Sequence, residues 1–233
     1  MDIKKIAGNI QNRLGLKSQP VALSFVEKAP DGVQKIAASE AAGCGYWRKA
    51  AEGETFYTDA ADHHGCPIGS HTHNVPMPIE KKTELEGMIG QMVELGYVKM
   101  EEIPMIPKRA DAFKFAVYGP LADAAQLPDV ILMRGTVRQL MILSEAASAA
   151  GIAGESPTMG RPTCAVIPQV LNSGKTSASF GCIGNRVYTQ APDDEAYYAV
   201  AGAQLEKMAG ALETIAKANE ELEKFHRSRL ASV

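Results

Sequence analysis

The sequence predicts an α+β fold built from two similar half-domains, with a mixed or antiparallel sheet and long amphipathic helices outside it. Three observations carry that expectation. Apolar residues alternate at period two in several short runs and recur at helical spacing in longer ones. Strand-like runs follow one another closely enough to pair as hairpins. Four cysteines also fall in two look-alike pairs, offset by close to half of the 233 residues. That offset points to an internal duplication, with repeat halves 1–110 and 111–233 inside a single domain.

The elements follow in order along the chain. Ile3, Ile6, Ile10 and Leu14 lie at helical spacing before Gly15, and Pro20 to Val26 alternates as a strand. Pro30-Asp31-Gly32 is a turn, and a small-residue stretch leads to Gly43-Cys44-Gly45-Tyr46-Trp47. Thr55 to Thr58 predicts a short strand, and residues 59 to 78 a histidine-rich loop. A helix is expected from Lys81 to Leu95, with Leu85, Met88, Ile89 and Met92 on one face and Gly96 as its stop. In the second half Phe113 to Tyr118 and Val130 to Met133 predict strands. Val137 to Leu143 predicts a helix running into the segment from Gly151 to Gly160. Thr163 to Ile167 and Thr176 to Phe180 read as strands flanking an Asn-Ser-Gly turn, and Asp193 to Arg227 as a C-terminal helix with acidic residues at its start.

Each half then runs strand, cysteine, strand, glycine-flanked cysteine, helix. The matched endings are Gly65-Cys66-Pro67-Ile68-Gly69 and Gly181-Cys182-Ile183-Gly184. Duplication would place Cys66 over Cys182 and Cys44 over Cys164.

Composition narrows the function. Hydrophobic residues make up 45% and charged residues 22%, as in ordinary globular domains, and the net charge of −3 contains no block of like charges. Nucleic acid and anionic membrane surfaces are therefore not expected partners. No run approaches the roughly 18 apolar residues of a membrane span, and the N-terminus lacks a signal-peptide core, so a cytoplasmic location is expected. In a reducing compartment four cysteines are free thiols, metal ligands or catalytic groups rather than disulfides.

Thiolates are soft ligands for an iron–sulfur cluster or zinc, and Cys44, Cys66, Cys164 and Cys182 together make a closed four-sulfur set. The tight spacing of zinc ribbons and ferredoxins is absent, so the fold must bring distant segments together. All but one of the five histidines surround Cys66. Among them His64, His71 and His73 are candidate metal ligands, or general acids and bases. Arg186 and Asn185 beyond Cys182, and Arg161 before Cys164, are candidates to bind a small anionic molecule. Tyr46 and Trp47 are placed to wall an apolar pocket. No phosphate-loop, dinucleotide or nucleophile-elbow motif is present. Three readings stand: a cysteine-held metal or cluster for redox or cofactor handling, a metal-free protein binding a small anionic ligand with structural cysteines, and a cysteine-dependent enzyme in which Cys66 or Cys182 is activated by backbone amides and His64.

The segments Cys44 to Tyr57, Gly65 to Gly69, Tyr118 to Leu121, Pro128 to Leu132 and Gly181 to Arg186 together resemble domain-of-unknown-function family 169. The resemblance spans nearly the whole chain. It implies a soluble, single-domain prokaryotic protein with recurring cysteine motifs, matched here by Cys44, Cys66, Cys164 and Cys182.

Overall fold

Strands β1 (Val21–Val26), β2 (Phe56–Asp59), β3 (Phe115–Pro120), β4 (Val130–Thr136), β5 (Ser177–Ser179) and β6 (Glu195–Ala201) form one sheet in the order β2-β3-β1-β4-β6-β5. Every pairing between these strands is antiparallel. The computed structural model describes residues 1–156, 159 and 161–231; Gly160, within the predicted glycine-containing segment, lies outside them. The helices are α1 (Ile3–Leu14), α2 (Gly43–Ala51), α3 (Pro67–Thr72), α4 (Ile79–Glu94), α5 (Val137–Ala149), α6 (Val166–Ser173), α7 (Ile183–Thr189) and α8 (Leu205–Leu230). None of them, among the described residues, is long and apolar enough to cross a membrane.

Period-two alternation sends successive residues to opposite faces of the sheet, and both faces are covered. Ile131 and Met133 of β4, with Tyr198 and Val200 of β6, pack against α1, α5 and α8. Val130, Leu132, Tyr197 and Ala199 face the other way, against Tyr46, Trp47 and Ala50 of α2 and Val166, Ile167 and Val170 of α6. The architecture is thus helix, sheet, helix in three layers, an α+β fold whose sheet is antiparallel throughout. The first core positions the sheet; the second adjoins the site.

The strand order has a symmetry of its own. Matching β1, β2 and β3 with β4, β5 and β6 makes it read the same from either edge, about the central β1–β4 pair. Short strands β2 and β5 lie at the two edges, and each leads to a helix capped by a cysteine, Cys66 on α3 and Cys182 on α7. The halves differ in their additions: α4 follows α3 in the first, and α5 follows β4 in the second.

Several expected elements change. Residues 163–167 are not a strand: Thr163–Ala165 is a 3-10 turn that runs into α6, whose Val166, Ile167 and Val170 are buried at helical spacing. The run of β-branched residues that suggested a strand is the buried face of a short helix. Glu195–Ala201 is the strand β6, and the C-terminal helix begins only at Leu205. Because β6 lies between β4 and β5 and is buried on both faces, its residues after Glu195 form an unbroken apolar run, Ala196 to Ala201, without a visible period. Inside the expected loop 59–78 lie a 3-10 helix, Ala61–Gly65, and α3, started by Cys66 and by Pro67 at its first position.

Helix α8 is buried only along its first half, at Leu205, Met208, Leu212 and Ala216, while Leu222 and Phe225 are 56% and 54% exposed. Its apolar period therefore outlasts its packing. Met208→Ala should lower the free energy of unfolding in urea by about 2–5 kcal/mol, as expected for a fully buried side chain, and Phe225→Ala should change it by less than about 0.5 kcal/mol. Equal effects would contradict this division of the helix.

Candidate functional site

All four cysteines are free, and all four line a cavity of about 330 Å³ on the α2 and α6 side of the sheet. Each arrives at the start of a helix or helical turn. Cys44 is in the first turn of α2, Cys66 is the N-cap of α3, Cys164 sits in the 3-10 turn before α6, and Cys182 is the N-cap of α7.

The two N-cap sulfurs are held alike. Cys66 Sγ accepts the N–H of Gly69 at 3.3 Å, and Cys182 Sγ accepts the N–H of Asn185 at 3.4 Å. The glycine preceding each cap has its own reason. A Cβ at Gly65 would lie 2.7 Å from the Glu40 carbonyl oxygen, and Gly181 has φ +87°. Hydrogen bonds then tie the segments together: Thr72 of α3 donates to Cys164 Sγ at 3.3 Å, and the Cys182 N–H donates to the Thr163 hydroxyl. The Asn185 side chain lies against the Cys44 sulfur closely enough to favour its thiolate, yet neither amide atom completes a hydrogen bond.

Burial dominates the electrostatics. It pushes the Cys44 thiol up to about 12, with the neighbouring Cys66 adding to the shift. Burial also raises Cys66, and raises Cys164 well above its ordinary value. Cys164 further feels Cys66, Cys182 and Cys44, so ionising one sulfur opposes ionising the others. These three thiols are protonated at neutral pH unless a cation offsets the cost. Among the described residues, no three His, Cys, Asp or Glu side chains are grouped so as to hold one metal ion.

The histidines divide. His64 turns away from the cavity and its Nε2 bonds the Pro76 carbonyl at 2.9 Å. His71 lines the cavity, and burial lowers its pKa. His73 also lines it, with Nδ1 2.9 Å from the Gly69 carbonyl, so Nδ1 carries the proton and Nε2 presents a lone pair. His63, beside it, bonds Thr58 Oγ1 through Nε2 at 2.9 Å.

Of the residues expected to meet an anion, Arg161 and Asn185 line the cavity and Arg186 does not. The Arg186 guanidinium is committed to the backbone carbonyls of Phe180, Pro192 and Glu195, where it pins α7 to the strand that follows. Arg161 lies over the Tyr97 ring at 4.8 Å and 3.7 Å from Glu102. Trp47 joins the wall as expected. Tyr46 is instead buried, donating to the Asp62 carbonyl at 2.6 Å, and Tyr118 takes the place beside Trp47. The roof is the face of α4 carrying Leu85, Met88, Ile89 and Met92. The sequence marks these four as one helix face but not what they cover. Thr72 and Thr163 carry no motif that would single them out.

A family model described as DUF169, uncharacterised ArCR, matches residues 9–211. No curated protein and no solved structure matches the chain.

Burial holds His63 down to about 3 and His73 down to about 4, from an ordinary 6.5. Unfolding lets both rings take up protons below pH 6.5, so the stability they contribute is complete above that pH and is lost as pH falls through about 4. The unfolding free energy should fall more steeply between pH 7 and pH 4 in the native chain than in His73→Gln. Identical slopes would show that His73 is not held neutral by its burial.

Proposed function

The chain belongs to the uncharacterised ArCR family DUF169, and on that premise we propose that its four-cysteine chamber holds an iron–sulfur cluster, or zinc in its place, for redox or cofactor handling. The observation that carries the reading is the arrival of Cys44, Cys66, Cys164 and Cys182 from four separate segments at one cavity. Packing alone has no need of four adjoining thiols.

The chemistry of the donor set supports it. Bound metal would reverse the cost of ionising buried thiols, and the N–H groups of Gly69 and Asn185 already point at two of the sulfurs. A cluster would supply one-electron chemistry; the chain's own part is to present the sulfurs, exclude water with α4 and direct amides at the ligands. The palindromic sheet order and the paired caps support an origin by duplication, with β3 (Phe115–Pro120) in the first repeat, so that the repeats divide after β3 and not at the expected boundary of residue 110. A cytoplasmic setting would keep the thiols reduced.

An activated catalytic thiol is less well supported, because burial raises Cys66 and His64 is bonded elsewhere. Arg161 is the cation left to meet an anionic group at the cavity.

Protein isolated without oxygen, or reconstituted with iron and sulfide, should show visible charge-transfer absorption and bind iron and sulfide in stoichiometric amounts. Cys66→Ser should lose most of both while unfolding cooperatively. A colourless, iron-free protein after reconstitution, or full loading of the Cys66→Ser variant, would overturn the assignment.

A further inference from the structure

Between α3 and β3 the chain makes an excursion, residues 76 to 112, that belongs to neither hydrophobic core. Val75 and Phe113 at its two ends are members of the core beside α2 and α6, and no described residue between them joins either core. Within the excursion only Leu85 and Val98 are buried, and both face the cavity. Met88, Ile89 and Met92 of α4 face it too, as do Ile103 and Ile106. The apolar side of this stretch therefore lies over a cavity of about 330 Å³ and not on packed side chains.

Its ends are fastened. Asn74 donates to the Ala110 carbonyl at 3.0 Å, which closes the excursion at its base, and the Arg109 N–H donates to the Thr72 carbonyl at 2.8 Å. The Asn172 side chain holds the Lys108 carbonyl at 2.7 Å, and His64 holds that of Pro76. Farther out, Arg161 reaches across from the segment that leads to Cys164. Its guanidinium lies 4.8 Å over the Tyr97 ring and 3.7 Å from Glu102, and both charged side chains are half-exposed. A pair of that kind is weak and screened by salt, and the ring contact adds modestly to it.

A segment with few packed apolar contacts opens at lower cost than the core around it. We propose that residues 76–108 form a lid over the chamber, hinged at its fastened base and latched by Arg161 against Tyr97 and Glu102. Opening lifts Leu85, Met88, Ile89 and Met92 from the cavity and admits bulky solutes to the four sulfurs. Closing excludes water from them. The lid does not depend on what the chamber holds, so it and the cluster assignment fail separately.

The probe is fluorescein maleimide, too large to share the closed chamber with the roof. It is added to the full chain, metal-free and reduced, and labelling at each cysteine is timed by peptide mass spectrometry. Arg161→Ala should raise the rates at Cys44, Cys66 and Cys164 about fivefold, the factor expected from a ring contact and a weak ion pair together, and leave the urea midpoint unchanged. Glu102→Gln, which removes the pair from the lid side, should raise them about twofold and serves if the first variant fails to fold. Arg138→Ala, which breaks an exposed ion pair with Glu223 on the far layer, should leave them as in the native chain. Unchanged labelling in both latch variants, faster labelling in Arg138→Ala as well, or a fall in urea midpoint that accounts for the faster rates would each overturn the lid.

Discussion

The antiparallel pairing of β1 with β4, Val21 opposite Leu132 and Leu23 opposite Val130, is the join on which the rest of the structure depends. On each side of it a three-strand group ends in a short edge strand, and the chain leaves that edge into a cysteine-capped helix. Because register fixes which face each side chain takes, the same pairing sends Val21, Leu23, Val130 and Leu132 to the layer shared with α2 and α6. The sulfurs of Cys44 and Cys164 arrive with that layer. A one-residue slip at the centre would turn these residues to the opposite face and dissolve the chamber.

The chamber itself works against stability. It gathers three thiols whose burial keeps them protonated, two histidines held neutral, and polar atoms on His73 and Asn185 that lack partners. Each is an expense for a fold with a fully apolar core available on the other side of the sheet. Sites that oppose local stability in this way are where function concentrates. The roof has the same character: α4 buries only Leu85 fully, although four apolar residues of its face meet the cavity.

Much of this was legible in the sequence where the signal was local. The period of α1, the stop at Gly15 with φ +66°, the span of α4 and the place of β1 follow from residue spacing alone. The two glycine-cysteine segments look alike, and Cys66 and Cys182 are both helix N-caps, although the sequence places each of them in a loop. Signals failed where tertiary burial overrides local pattern. β6 is apolar on both faces and showed no period, and the short helices α3 and α7 depend on a cysteine cap that propensity does not predict. Among the site residues, the four cysteines, Asn185, Arg161 and His71 line one cavity, while His64 and Arg186 spend their polar groups on backbone carbonyls. Spacing in sequence cannot separate these cases, because what distinguishes His71 from His64 is the direction each side chain takes from α3 and the preceding 3-10 helix.

The central claim is that the four sulfurs act as a single ligand set. Iron K-edge X-ray absorption of the reconstituted protein tests it most directly, since it reports the atoms around the metal. The account predicts a first shell made of sulfur alone, lost when the cysteines are replaced by serine. A first shell containing substantial nitrogen or oxygen, or one unchanged by those replacements, would contradict it.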